Sequence, residues 1–208
     1  MTTRIFLLSP ARCDGERAKL ILNPRAEFPL ARALREQGGV ELGEVFSFLS
    51  GLYFRGKLAY ARAFARAPEA HSGTLVITTE RGLVPPTTRI TRDDLCAFAD
   101  VDIGGGDERY LGPLRRDVQR LATDLPDAEV VLLGSIATGK YVDVLDRVFG
   151  ERLLFPQDFV GRGDMSRGGL LLRAARSGEP LAYRPIAGAA RRGPRAPKIS
   201  TLPGLRSR

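Results

Sequence analysis

The segment VVLLGSIATGKYVDVLDRVF, running from Val130 to Phe149, decides the fold class. Its first four residues are apolar without alternation, which marks a strand buried on both faces, as in a parallel sheet covered by helices. A turn bearing Gly134 and Gly139 follows. Then Tyr141, Leu145, Val148 and Phe149 recur at the three-four spacing of an amphipathic helix, with Asp143 and Arg147 paired on its outer side. Strand, turn and helix in direct succession make half of a β-α-β unit. The short apolar run Leu153–Phe155 begins the other half.

The same grammar extends in both directions. Ile5–Leu8 and Leu75–Thr78 read as further buried strands, and Leu181–Tyr183 as an edge strand. Leu111, Leu114, Val118, Leu121 and Leu125 give a helix whose first turn holds Pro113. Phe28–Gln37, Glu41–Leu49 and Tyr53–Arg66 read as three more helices, the last two parted at Gly51. The expectation is one α/β domain over residues 1–186. It should be a three-layer α/β/α sandwich with a mostly parallel sheet of four to five strands. No internal repeat or interdomain linker interrupts it.

The chain has 208 residues, of which 43% are hydrophobic and 27% charged, enough for one well-buried core. No apolar run approaches the roughly 18–20 residues needed to cross a bilayer, so no membrane partner is expected. The chain enters a strand with no charged-then-apolar leader, and Cys13 and Cys96 are too few for a disulfide scaffold. Both observations point to a cytoplasmic protein. The net charge of +8 is unevenly placed: Arg191, Arg192, Arg195, Lys198, Arg206 and Arg208 account for six of it. Residues 187–208 contain no acid and are rich in Pro and Gly, so a disordered basic tail is expected. Two explanations stay open for that tail: attraction of polyanions through counterion release, or a general basic bias of composition.

Candidate chemistry gathers in the loops after the strands, where open parallel sheets place their ligands. The first loop offers Ser9, Arg12, Cys13 and Asp14; the second Thr79, Glu80, Arg81 and Gly82; the third Gly134, Ser135 and Tyr141. The fourth is the stretch from Phe159 to Arg173, which carries Arg162, Gly163, Asp164, Ser166 and Arg167. A helix capped by Asp164 or Ser166 would bring exposed N–H groups, its dipole and two arginines to one spot, an arrangement suited to phosphate. Glu80 and Asp14 are the candidate general bases. Gly134 to Lys140 has the GxxxxGK spacing of a triphosphate-binding loop, but Tyr141 stands where a magnesium-binding Ser or Thr belongs. A strand-to-helix turn that helps bind a phosphate fits better.

His71 is the sole histidine and sits in the polar stretch Pro68–Gly73, which leaves no basis for a histidine triad or metal centre. No resident cofactor is indicated. Cys13 lies near a helix start and Arg12, which lowers a thiol's pKa; the competing view is a packed, inert thiol. Arg55, Arg62 and Arg66 share a helix stripe and read as a solvated face. Phe46, Phe48, Leu49, Leu52 and Phe54 lie close together, either as core or as a surface for a second copy.

Four pieces, with the turn after strand one, resemble a family of small prokaryotic α/β proteins of unknown function placed near the uracil-DNA glycosylase fold and the archaeosine synthase core domain. They are the run Leu52–Ala61, the run Val76–Pro85, and Gly134 with Tyr141 followed by the Gly161–Gly169 turn. The sequence departs from that family at Thr78-Thr79 and Glu80-Arg81, and its opening turn is only Arg12-Cys13-Asp14-Gly15. The resemblance implies an α/β fold and a nucleobase or nucleic-acid ligand, not glycosylase activity. Together, the loops and the resemblance give the expectation of a nucleotide-, nucleobase- or nucleic-acid-processing enzyme. The alternative is a non-catalytic accessory protein that binds nucleic acid through its tail. Oligomeric state is left open.

Overall fold

The fold is that of a computed structural model, which describes residues 2–137, 139–189 and 193–194. The elements run β1 (Arg4–Leu8), α1 (Glu16–Leu22), α2 (Pro29–Arg35), β2 (Val40–Glu41), α3 (Leu42–Ser50), α4 (Leu52–Phe64), β3 (Thr74–Ile77), β4 (Leu83–Val84), β5 (Arg89–Ile90) and α5 (Arg92–Ala99). The second half runs α6 (Glu108–Asp124), β6 (Glu129–Leu133), α7 (Gly139–Phe149), β7 (Leu153–Pro156), α8 (Asp164–Ser177) and β8 (Tyr183–Pro185). The charged tail residues Arg191, Arg192, Arg195, Lys198, Arg206 and Arg208 lie outside the described residues.

The main sheet has six strands in the order β4-β3-β1-β6-β7-β8, more than the four to five expected. β3, β1, β6 and β7 are parallel, with Leu7 opposite both Leu75 and Leu132. The two edge strands, β4 and β8, run antiparallel. Both are too short to show a hydrophobic period, and they form because a backbone edge stands ready to pair. The last strand accordingly sits at Tyr183–Pro185, two residues beyond the expected Leu181 start. A separate two-stranded pair joins β2 to β5.

β1 is the centre of the core, with Ile5, Phe6, Leu7 and Leu8 all fully buried, as its unbroken apolar run requires. The Phe6 ring meets Tyr60 of α4 edge-on at 5.7 Å. Helices flank the sheet in two packed pairs, α4 with α8 and α6 with α7. With the strand order β3-β1-β6-β7, the general right-handedness of parallel crossovers puts the β1-to-β3 and β6-to-β7 connections over opposite faces, so the topology reverses between β1 and β6.

α3 and α4 part at Gly51, as anticipated. Its φ of +58° lies in the left-handed region that costs a glycine nothing, and Arg17 donates to the Phe48 carbonyl beside it at 3.0 Å. α4 and α8 approach so closely that a Cβ at Gly56 would stand 2.6 Å from the Gly168 carbonyl oxygen. α6 starts earlier than expected, capped by Asp107, whose carboxylate accepts from the Arg109 amide at 2.9 Å. Pro113 therefore lies inside the helix rather than in its first turn.

The aromatic cluster is largely spent within the chain. Phe46 and Phe54 are fully buried and pack edge-on at 5.4 Å, while Phe48 stacks on Phe28. Arg55 and Arg62 are exposed on α4, as a solvated stripe should be, but the helix ends at Phe64, two residues before the expected Arg66. Arg66, also exposed, instead makes an isolated β-bridge with Arg4. Among the described residues no helix is long and apolar enough to cross a membrane.

Candidate functional site

At the carboxyl ends of β1 and β3 lies a cleft of about 580 Å³. Pro10, Arg12, Cys13 and Asp14 form one wall, Thr79 stands at the end of β3, and Phe98–Ile103 close the far side. Lys140, in the first turn of α7, reaches the same cleft and also lines a second one of about 470 Å³ beyond Ile103. The Thr79 hydroxyl donates to the Phe98 carbonyl at 2.9 Å, fixing the cleft floor.

Arg12 and Asp14 form an exposed ion pair, with Arg12 Nε 2.7 Å from an Asp14 oxygen. The hydrogen bond from Arg12 holds the Asp14 carboxyl below the usual carboxylate range, which keeps it ionised and makes it a weaker base. The Cys13 thiol is pushed up to about 12, first by burial and then by the Asp14 charge. Burial outweighs the nearby Arg12, so no thiolate forms at neutral pH and Cys13 packs as an inert apolar group.

The second loop folds on itself. Arg81 pairs with Asp94 of α5 and lies over the Phe98 ring, and Glu80 stands 4.0 Å from Arg81. Thr91 and Asp94 make a reciprocal capping box at the start of α5, so Asp94 serves the helix end and the Arg81 ion pair together. Gly82 has φ +64°, and a side chain there would collide with Asp117 and the Pro113 carbonyl. These residues shape a turn rather than line the cleft.

The fourth loop differs most from expectation. α8 begins at Asp164 behind Gly163, with no side-chain cap from either Asp164 or Ser166. Arg162 donates to the Asp158 carbonyl at 2.9 Å and to Ser166 Oγ at 3.4 Å. Arg167 donates to the Phe159 carbonyl through Nε at 3.2 Å and Nη2 at 3.1 Å, lies over the Phe159 ring, and stands 3.6 Å from Asp164. Both guanidinium groups are tied to adjacent carbonyls of one short turn, which brings them together but engages them with the chain itself.

The residue that sequence reasoning missed is Lys57. It comes from α4, is fully buried, and its amine lies 2.7 Å from the Ser9 carbonyl oxygen and 3.0 Å from Ser9 Oγ. The Tyr53 and Phe54 rings flank it at 4.6 and 4.7 Å. Burial pulls its pKa down to about 7; Asp164 opposes that and Arg167 adds to it. The only signal was a lysine at a helix position whose neighbours Phe54, Leu58 and Ala61 are apolar.

Around this amine the structure gathers Ser9, Gly134 and Ser135 from the loops after β1 and β6, and Tyr141 from the first turn of α7. The Tyr141 hydroxyl donates to the Ser135 carbonyl at 2.9 Å and lies within reach of Ser9. Gly134 is required here, since a Cβ would stand 2.8 Å from both Ser9 Cβ and the Tyr141 hydroxyl. The buried Tyr53 hydroxyl makes no hydrogen bond of normal geometry, although Arg167 lies within electrostatic reach. The polar atoms thus form two neighbouring groups: an open cleft lined by Arg12, Asp14 and Lys140, and a buried cluster around Lys57. Comparison of the chain with protein families, curated proteins and solved structures finds no match.

Proposed function

We propose that this chain binds and processes a nucleotide or a nucleobase-bearing phosphate ester in the cleft at the carboxyl ends of β1 and β3. One observation carries the proposal: a cleft of about 580 Å³ at the strand edge draws Arg12 and Asp14 from the loop after β1 and Lys140 from the first turn of α7. That volume falls within the range of roughly 300–1,000 Å³ typical of small-molecule sites. Lys140 and Arg12 are the cations for the phosphate, and the α7 N-terminus adds its partial positive charge. The half-buried Ile103 offers an apolar surface for a base, while the Asp100 and Asp102 side chains at the rim accept from hydroxyl or amino groups.

The phosphate thus moves from the Arg162–Arg167 loop, where the arginines already serve carbonyls, to the Arg12–Lys140 cleft. A thermal-shift and calorimetric series with inorganic phosphate, nucleosides and nucleoside monophosphates tests it, because a ligand of the native state raises its stability. Monophosphates should shift the protein more than nucleosides, and Lys140→Ala should weaken them about tenfold or more through loss of a charged hydrogen bond. Absence of any shift at millimolar ligand removes the proposal.

A further inference from the structure

We propose that Ser9 and Lys57 form a nucleophile–base pair for acyl transfer, acting on an ester or thioester whose anionic remainder lies in the adjoining cleft. Ser9 follows β1 at the point where the sheet topology reverses; it is buried, and the lining of the cleft begins at the next residue, Pro10. The pair is already within hydrogen-bond distance, with Nζ 3.0 Å from Oγ. A neutral lysine amine has two N–H groups and one lone pair. Nζ donates to the Ser9 carbonyl oxygen at 2.7 Å, which fixes the amine, and to Oγ at 3.0 Å; in the neutral amine the lone pair turns to Oγ instead and takes its proton. A serine activated by a lysine is an established variant of the triad logic.

The charge environment favours that protonation state. Burial between the Tyr53 and Phe54 rings disfavours the ammonium, and its pKa of about 7 suits a base working near neutrality. The titratable groups facing it are Tyr53 on its own helix, Asp164 and Arg167 from α8, and Tyr141 from α7. Asp164 favours the ammonium and Arg167 the amine. Tyr141 has its hydroxyl near Ser9, but its one proton is donated to the Ser135 carbonyl, so its role here is to shape the pocket wall.

In the forward step the Oγ–C bond forms at the carbonyl carbon and the Oγ proton passes to Lys57 Nζ. Collapse of the tetrahedral intermediate breaks the bond to the leaving alkoxide or thiolate, which takes that proton. Water then attacks the acyl-serine with Lys57 accepting its proton, and Ser9 regains it on release of the acid. The cleft lining includes Arg12 and Lys140 but not Ser9, so on this proposal the cations serve the anionic remainder of an acyl substrate.

The inference rests on the cleft proposal only for the position of the anionic remainder. The test is therefore made with probes that carry no nucleotide. A fluorophosphonate should modify Ser9, located by peptide mass spectrometry, and p-nitrophenyl acetate should be hydrolysed with Ser9 acylated. Ser9→Ala removes both, and Lys57→Met slows modification about 100-fold or more. The wild-type modification rate should rise across the pKa of about 7 given for Lys57, a measurement that holds even where the Met variant folds poorly. A Ser9 left unmodified in the folded wild type, a pH-independent rate, or a folded Met variant labelled at the wild-type rate would each overturn the inference and leave Lys57 as a tether for the Ser9 carbonyl. Nucleotide binding with Ser9 unreactive would retain the cleft and remove only this pair.

Discussion

Two adjacent glycines of α8 should respond to the same substitution with opposite signs. Gly168→Ala places a methyl 2.7 Å from the Leu52 carbonyl oxygen and 2.8 Å from Tyr53 Cα, whereas Gly169→Ala meets nothing within 4 Å. Both changes gain roughly 1 kcal/mol of helix propensity. At Gly168 the obstructing atoms are backbone of α4, so neither side can yield by changing a rotamer and the helices must separate. Overpacking of that kind costs typically 1–3 kcal/mol, and a backbone-to-backbone conflict sits at or above the upper end. The net is about 2 kcal/mol of destabilisation at Gly168 against up to about 1 kcal/mol of stabilisation at Gly169. For a chain of this size, each kcal/mol moves Tm by roughly 2–4 °C. Gly168→Ala should thus melt about 4–8 °C lower than wild type, and Gly169→Ala about 2–4 °C higher, by differential scanning calorimetry with urea unfolding as a check. A Gly168→Ala protein as stable as the Gly169→Ala one would refute the close crossing of α4 and α8.

Two further outcomes follow from buried titratable groups. The folded-state pKa of Lys57 lies below its ordinary value, so the unfolded chain holds the extra proton between about 7 and 10.5. Stability contributed at this residue therefore rises with pH through that window, and the cost of burying the ammonium is complete below it. Lys57→Met should be most favoured relative to wild type in mild acid, with the gap narrowing by a few kcal/mol towards about pH 10, at roughly 1.4 kcal/mol for each pH unit crossed. Urea unfolding at several pH values measures this, and a pH-independent gap contradicts it. For the cysteines, alkylation at about pH 8 should mark the half-buried Cys96 well before Cys13, whose thiol is pushed up to about 12. Modification of Cys13 at the rate of a free thiol would show that its burial is wrong.

The parallel core strands were legible because an unbroken apolar run has few other interpretations in a helix-rich chain. Ile5–Leu8, Leu75–Thr78, Val130–Leu133 and Leu153–Phe155 each fall within one residue of an observed strand at either end. α5 also carried a readable start, the Thr91-to-Asp94 spacing of a capping box, and was missed because its eight residues span only two turns. β2, β4, β5 and β8 had no comparable signal. A strand of two or three residues exists through the edge it pairs with, and that edge is not a property of its own sequence.

Local sequence alone determined an α/β chain with buried parallel strands, a break at Gly51, and polar loops at the strand ends. Those features follow from side-chain periodicity and backbone sterics, which act over a few residues. Tertiary structure decided how the loops were sorted. Arg162 and Arg167, adjacent in the sequence pattern to an anion-type helix start, are drawn to the Asp158 and Phe159 carbonyls of their own turn. Lys57 and Ser9, separated by 48 positions, meet only because α4 crosses the end of β1. Desolvation then changes the lysine from a surface cation into a base near neutrality and the Cys13 thiol from a reactive candidate into packing. Both effects depend on what surrounds the group in space, and a linear sequence does not carry that information.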